Sequence, residues 1–345
     1  MKHCGMDVHA KSTTVEILDE ATGEVTQHEF ATERTAVYEW LSSRPRMQVV
    51  LEASTISHWI ADVAEEAGHE VVVVDPNRTK AIAIAGGYKK TDRLDAAMLA
   101  WLSAKDVLTA SHRPSVATRE RRQSLILRQR LVRSRGDLVR SVRSVLASNG
   151  LRLARRAKRF AEAVRVLPEF DTFAPELDGA LRAIELLDEE IENADRRLAT
   201  QAKEDAVVQL LQSAPGVGPV TATAFRVVIE EPWRFRSGRQ VAAYLGLVPS
   251  VHQSGAGPAR MGRISKHGDK MMRSLLVEAA HVLLQRCRQP SDLRAWGLRV
   301  SARVGKKKAA VAVARKLSVG LGAMWRKETA FRPVHGSVSA TEMAA

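Results

Sequence analysis

Gly5-Met6-Asp7-Val8-His9 sets one carboxylate inside an apolar, strand-like run, and the surroundings of that run decide the fold. Thr13-Thr14-Val15-Glu16-Ile17-Leu18 reads as a second strand. Asp19 to Gly23 form a polar turn, and Thr26 to Ala31 make a third strand. Thr35 to Ser43 is helical, with Val37, Trp40 and Leu41 on one face. Met47-Gln48-Val49-Val50-Leu51 is a short buried strand, with Glu52 directly after it. A helix from Ile56 to Ala67 is stopped by Gly68. Glu70-Val71-Val72-Val73-Val74 is another buried strand, ended by Asp75-Pro76. Thr91 to Ala104 reads as a helix with Thr91 as its N-cap. Asp92 and Asp95 are three residues apart, so both project from one side of that helix, ~60° from each other.

A carboxylate in the first strand, one after the fourth, and two on a later helix is the ribonuclease-H-like pattern. In that fold the first and fourth strands are neighbours, so Asp7 and Glu52 converge. Convergence has a cost. Two carboxylates ~4 Å apart repel by roughly 4 kcal/mol at an effective dielectric of about 20. Four together protonate or splay apart unless a cation neutralises them. Hard oxygen ligands suit Mg²⁺ or Mn²⁺, and two such ions can activate a nucleophile and stabilise the leaving oxygen of a phosphodiester. Each acid also has a structural explanation. Asp92 fits a helix start favoured by the dipole, and Glu52 fits a cap for the helix that follows. A lone Asp in an apolar strand is harder to explain without a partner.

Composition narrows the classes. The 345 residues are enough for about two domains, and 45% are hydrophobic, enough for a real core. Fifty-three Lys and Arg against 39 Asp and Glu give a net charge of +14, which points to a polyanionic partner, most simply nucleic acid. Cys4 and Cys287 make neither a disulfide framework nor a four-ligand zinc site. MKHCGMDVHAK lacks the apolar core of a signal peptide, and no apolar run nears the ~20 residues of a membrane span. A cytoplasmic protein without a membrane partner is expected.

The excess charge is concentrated. Residues 119–159 hold 14 Lys or Arg and two acids, a local charge of +12. Leu125, Val132, Val139 and Leu146 recur every seven residues, which predicts a long helix with one apolar stripe and basic flanks. Most charge runs are solvated helix faces. This one is so one-sided that its cations are expected to be unpaired and to meet nucleic acid, with Arg128, Arg133, Arg140 and Arg143 as candidate contacts. Residues 171–200 reverse sign, with nine acids and three arginines. There Leu177, Ala180, Ile184, Leu187, Ile191, Ala194 and Leu198 form a heptad seam that packs on the chain's own basic helix or on a second subunit.

Beyond residue 205 the composition is mixed. Leu210-Leu211-Gln212-Ser213-Ala214-Pro215-Gly216-Val217-Gly218-Pro219 reads as helix, turn and helix, in the manner of a helix-hairpin-helix whose glycines expose N–H groups to a phosphate. A tight turn explains the same glycines. Gln253 to Gly268 is a Gly- and Arg-rich loop containing Ser254, Arg260, Arg263, Ser265 and Lys266, followed by a helix from Met271 to Leu284. A final basic helix carries Arg303, Lys306, Lys307, Lys308, Arg315 and Lys316. The expected architecture is α/β plus α. Residues 1–110 form a ribonuclease-H-like (RuvC-like) domain, 111–204 a basic helix and coiled coil, 205–330 a mostly helical C-terminal domain, and 331–345 a disordered tail.

These residues carry a resemblance. Gly5-x-Asp7-x-x-x-Lys11, then Glu52-Ala53-Ser54, then Lys90-Thr91-Asp92-Arg93-Leu94-Asp95-Ala96 resembles the DEDD-type transposases of the insertion sequence one-ten family. So does Pro215-Gly216-Val217-Gly218, followed by Leu245-Gly246-Leu247-Val248-Pro249, Ser254-Gly255 and Gly262-Arg263-Ile264-Ser265-Lys266-x-Gly268. The resemblance runs in order over nearly the whole chain. It implies that Asp7, Glu52, Asp92 and Asp95 are a metal-binding catalytic tetrad for Mg²⁺, with Mn²⁺ as substitute. It implies that Ser254 is the nucleophile that forms a covalent link to DNA, where the residues alone favour a turn serine. It also implies a guide, or bridge, RNA that pairs with target and donor DNA, and a homo-oligomer: a dimer, and a tetramer when two duplexes are held together. Lys11, Arg260, Arg263 and Lys266 join the four arginines above as expected nucleic-acid contacts, and Ser265 is the nearest rival to Ser254. Two other functions are compatible with the sequence. A RuvC-like nuclease would cut branched DNA with metal-activated water and leave Ser254 idle. A packaging protein would bind nucleic acid and need none of the four acids.

Overall fold

The alternating strand β1 (Lys2–Val8) turns back at His9, whose N–H donates to the Ser12 carbonyl at 3.0 Å, and pairs antiparallel with β2 (Ser12–Asp19). β2 pairs antiparallel with β3 (Val25–Ala31). After α1 (Arg34–Ser42) the chain returns as β4 (Gln48–Glu52), parallel to β1 on its other side. α2 (Ser57–Glu66) then leads to β5 (Glu70–Val74), parallel to β4. The sheet order is β3-β2-β1-β4-β5, so the first and fourth strands are neighbours as expected. α3 (Pro76–Ala85) and α4 (Asp92–Ala104) complete this part. This is a computed structural model, and it describes residues 1–85, 92–154, 159–168, 170–252 and 260–333, leaving aside the side chains of 83–85, 92–94, 251, 252, 260 and 261. Its contacts divide the chain into two compact units, Met1–Pro114 and Ser115–Ala345.

Both faces of the sheet are covered. Cys4, Met6, Val15, Val49 and Leu51 are buried with Val37 and Leu41 of α1 and Ile60 and Val63 of α2. On the opposite face Val50 and Val74 pack with Leu99 of α4. α3 was not expected, because Asp75-Pro76 reads as a strand terminator. Pro76 instead serves as a first helical residue, where its missing N–H costs nothing.

The second unit is helical apart from one hairpin. α5 (Val116–Ser148) starts at Ser115, whose hydroxyl accepts from the Thr118 N–H at 3.3 Å. The long helix expected over 119–159 ends earlier, at Asn149-Gly150. There Leu151 N–H donates to Leu146 O at 2.9 Å and Gly150 N–H to Ala147 O at 3.1 Å, a Schellman stop. α6 (Phe160–Arg165) follows, then α7 (Phe170–Glu204), which packs back on α5. The acidic seam therefore has its partner within the chain. Leu177, Leu181 and Ile184 bury against Val142 and Leu146, and Leu198 joins Leu125 in the larger core.

That larger core is built by α8 (Ala206–Gln212), α9 (Pro219–Ile229), a 3-10 turn (Pro232–Arg234), α10 (Gly238–Tyr244), α11 (Lys270–Gln285), α12 (Asp292–Val304) and α13 (Lys306–Lys327). Leu211, Phe225, Met272, Leu276, Leu283 and Leu317 are among its buried members. The single basic helix expected at the end is two helices, broken at Gly305. The Gly- and Arg-rich stretch read as a loop over Gln253 to Gly268 contains a strand, β7 (Arg260–Ile264), paired antiparallel with β6 (Pro249–His252). Of the expected tail, Phe331 and Pro333 are tied down: Phe331 N–H donates to Ser213 Oγ at 2.9 Å, and Pro333 O accepts from Asp292 N–H at 2.8 Å. Residues 334–345 lie outside the described set. Among the described residues no helix is long and apolar enough to cross a membrane.

Candidate active site

The β1–β4 register sets the first two acids side by side. Met6 lies opposite Leu51, so Asp7 and Glu52 are the next residues on adjacent parallel strands. Aligned residues of such strands point to the same face. That face carries α4, as Gly5 shows. A Cβ there would collide with Ala96 O and lie 2.7 Å from Ala100 N. Only a residue without a side chain lets the helix backbone approach so closely.

The direction of α4 brings the other two acids to the same end. Ser103 Oγ is 2.8 Å from His3 Nδ1, and Ala96 to Ala100 cross Gly5. The helix thus runs antiparallel to β1, and its first turn, Asp92 to Asp95, falls at the Asp7 end of the strand. The Asp92 side chain lies outside the described set; Asp95 is half-buried. Glu52 does not cap α2, since the turn before that helix is closed by Ser54 and Ser57. The Ser57 N–H donates to Ser54 Oγ at 3.1 Å and the Ser54 N–H to Ser57 Oγ at 2.9 Å. Capping α2 is therefore not the role of Glu52.

Two neighbours of this cluster were not singled out in the sequence. His9 Nε2 stands 3.0 Å from Asp7 Oδ2, just beyond the strand end. Glu16 of β2 pairs with Gly5 and shares its face, and burial holds its carboxyl above the usual range. An acid between Val15 and Ile17 was a legible signal, with the same logic as Asp7. Among the described residues, no three His, Cys, Asp or Glu side chains stand close enough to hold a metal ion. The donor chemistry still fits a hard divalent cation: Asp7 and Glu52 are adjacent carboxylates on one face, with α4 bringing its first turn to the same end.

The expected nucleic-acid contacts fare differently. Lys11 is exposed in the β1–β2 turn, and Arg133, Arg263 and Lys266 are exposed in the second unit. Arg128 is held by Asp195 of α7 in a two-pronged ion pair whose second contact is 3.1 Å. Arg140 pairs with Asp137 one turn back. Arg143 donates to Leu153 O at 3.0 Å and Ala154 O at 2.9 Å, pinning the segment after α5. Arg121, Arg122 and Arg135 are also in ion pairs, with Asp205, Asp269 and Asp188. The basic helix is therefore not the row of unpaired charges expected, because its partners lie far along the chain. Ser254 is outside the described residues, and so is the Arg260 side chain.

In the glycine turn, Gly216 adopts φ +82°, and a Cβ there would collide with Ala279 O of α11. Helix packing thus accounts for that glycine. Gly218, at the start of α9, has open space around it.

Comparison with known proteins now adds to the geometry. Residues 4–149 match the DEDD transposase model of the IS110 group, and residues 208–295 match the transposase IS116/IS110/IS902 family. The chain is 32% identical over 316 residues to the "Probable family 20 transposase" of Pseudomonas aeruginosa, covering 87% of this chain and 90% of that protein. The chain belongs to the IS110 transposase family. It is also 31% identical over 292 residues to the transposase for insertion sequence element IS1111A of Coxiella burnetii, covering 82% and 79% of the two chains. The transposase for element IS1328 of Yersinia enterocolitica is 27% identical over 276 residues, with 76% and 79% covered. The first family match spans the strands and helix that carry Asp7, Glu52, Asp92 and Asp95. A transposase acts on DNA, and the acidic end of the sheet is the part of this one whose chemistry suits cutting it.

Proposed function

We propose that this transposase cuts and rejoins DNA at a divalent-metal site held by Asp7, Glu52, Asp92 and Asp95 of a ribonuclease-H-like domain, with Ser254 as nucleophile. The register that sets Asp7 beside Glu52, with α4 descending toward both, is the observation that carries the reading. Bound Mg²⁺ or Mn²⁺ would supply charge neutralisation and Lewis acidity at the phosphate. The chain's own contribution is placement. Two strands and a helix fix the carboxylates on rigid backbone, and Gly5 lets the helix come close enough. The serine hydroxyl loses its proton as its oxygen bonds to phosphorus, and the displaced deoxyribose oxygen leaves with a proton. The phosphoserine so formed keeps one phosphodiester in hand for rejoining.

The resemblance to the family supports the rest of the reading. A structured guide RNA pairs with target and donor DNA, so sequence choice rests on base pairing while the protein holds backbone. A homo-oligomer, a dimer that becomes a tetramer around two duplexes, brings the serine of one chain to the acids of another.

The test is covalent capture. Incubated with guide RNA, Mg²⁺ and labelled DNA, the wild-type protein is expected to give a denaturation-resistant protein–DNA adduct. Ser254→Ala loses it while still retaining RNA on a filter. Asp7→Asn loses both adduct and cleavage. Free cleaved ends without any linked strand would replace the serine with water, the chemistry of a RuvC-like nuclease.

A further inference from the structure

A groove of the second unit lies between α12, α13, the β6–β7 hairpin and the segment ending at Pro333, and has a volume of about 890 Å³. That is within the ~300–1,000 Å³ of clefts that take small organic ligands. Its floor is apolar and partly aromatic, with Leu293, Trp296, Val311 and Phe331. Its rim is cationic: Arg299, Lys308, Arg315, Lys316 and Arg332, against one acid, Asp292. These cations contrast with those of α5. Arg121, Arg122, Arg128 and Arg135 each have a carboxylate, whereas among the described residues none of the five rim cations is in an ion pair. Lys316 Nζ stands 4.1 Å from the centre of the Trp296 ring, so charge and aromatic surface adjoin.

A second observation also calls for an anion. α13 opens with Lys306-Lys307-Lys308, has no acid in its first turn and has no capping side chain. The start of a helix is its positive end, so three lysines there oppose the dipole and leave the first N–H groups uncapped. Lys308, the third of them, lines the groove. An anion at this end would relieve both defects.

We propose that this groove receives an unpaired nucleotide of a DNA strand, with its base against Trp296 and Phe331 and its phosphates on the rim cations and the α13 start. A free phosphate would not need the aromatic floor. An acidic peptide would not need flat rings beside the cations, whereas every base has a π-face that stacks on them. Duplex DNA keeps its bases stacked and offers only backbone. A strand that passes from one duplex to another is unpaired on the way, and a pocket that holds one of its bases offsets the few kcal/mol of unstacking. DNA is chosen over RNA because DNA is the substrate of a transposase. The groove includes neither the metal site nor Ser254, so a groove that does not bind DNA leaves the cutting chemistry untouched.

Photocrosslinking tests it. Full-length protein is irradiated with a 12-nucleotide single strand carrying 5-iododeoxyuridine, and the adducts are mapped by peptide mass. An adduct on Trp296 or Phe331 is expected, and a map with neither overturns the proposal. Fluorescence anisotropy then compares single-stranded DNA, the same sequence as duplex, and the same sequence as RNA. Arg299→Gln with Arg315→Gln is expected to weaken single-strand binding roughly tenfold and to lower the salt slope by about 1.4, at ~0.7 per lost phosphate contact. Arg299→Gln with Lys308→Gln, both on exposed positions, serves if the first pair fails to fold. Equal losses for duplex and single strand would reduce the groove to a backbone contact. RNA that binds more tightly and takes the adduct would overturn the assignment to DNA.

Discussion

A methyl group at position 5 would overlap Ala96 O and come within 2.7 Å of Ala100 N, and backbone atoms cannot swing aside as a side-chain end can. Gly5→Ala is therefore expected to push α4 off the sheet, at a cost of roughly 1–3 kcal/mol in urea unfolding. Because α4 carries Asp92 and Asp95, DNA cleavage should fall further than the lost stability accounts for. Cleavage that tracks the folded fraction would show that α4 does not position the acids. The preceding residue, Cys4, faces the other side of the sheet and is fully buried, and burial pushes its thiol up to about 12. Cys287 is only half-buried. A thiol reagent at pH 8 should thus label one cysteine in the native protein, Cys287, and two after unfolding. The sign of the pH effect follows. A thiol whose pKa rises on folding contributes stability that is complete below the unfolded value near 9.0 and is lost as pH climbs toward about 12. The unfolding midpoint should fall over that window.

Arg128 pairs with Asp195, and seven residues on Arg135 pairs with Asp188, seven residues back. One heptad forward on α5 is one heptad back on α7, the register of an antiparallel helix pair. The buried residues keep the same register, with Leu125 and Leu198 at one end and Val142 and Leu181 at the other. Arg128→Asp or Asp195→Arg alone should destabilise the protein by about 1 kcal/mol. The double exchange should recover part of that, with a coupling of roughly 0.5–1 kcal/mol for a pair that keeps access to water. Zero coupling in urea titrations would make the pair incidental. The heptads themselves were readable from apolar spacing, as were the five strands of the sheet from alternation and β-branched runs. The pairing of α5 charges with α7 was one of two readings left open, because an acidic heptad seam fits a second subunit as well as the chain's own basic helix. α3 was missed for a different reason. Ala81, Ile82, Ala83 and Ile84 form a run rather than a face, so no helical period is visible. The hairpin beside Ser254 escaped because its strands are four and five residues long and rich in residues that read as loop.

On the proposed reading the two units answer to different ligands, and that gives the whole chain a testable signature. The first gathers acids at one end of its sheet, and the second carries rim cations with no described carboxylate partner. Anything that binds only the folded form stabilises it by RT ln(1 + [L]/Kd), about 2.7 kcal/mol at a hundredfold excess over Kd. Mn²⁺ should therefore slow amide exchange in β1, β4 and α4, and single-stranded DNA should slow it in α12 and α13. Both can be measured on the intact chain by hydrogen-exchange mass spectrometry, without any turnover. Without metal, Asp7→Asn should slow exchange in the same strands, because it removes one of two adjacent like charges. With Mn²⁺ present it should make exchange faster than in the wild type, because it removes a ligand. This reversal of sign separates a metal site from a cluster of acids that is merely structural. A carboxylate kept for its hydrogen bonds would be missed equally in both conditions, and a metal that protected α12 instead of β1 would move the cation site out of the sheet altogether.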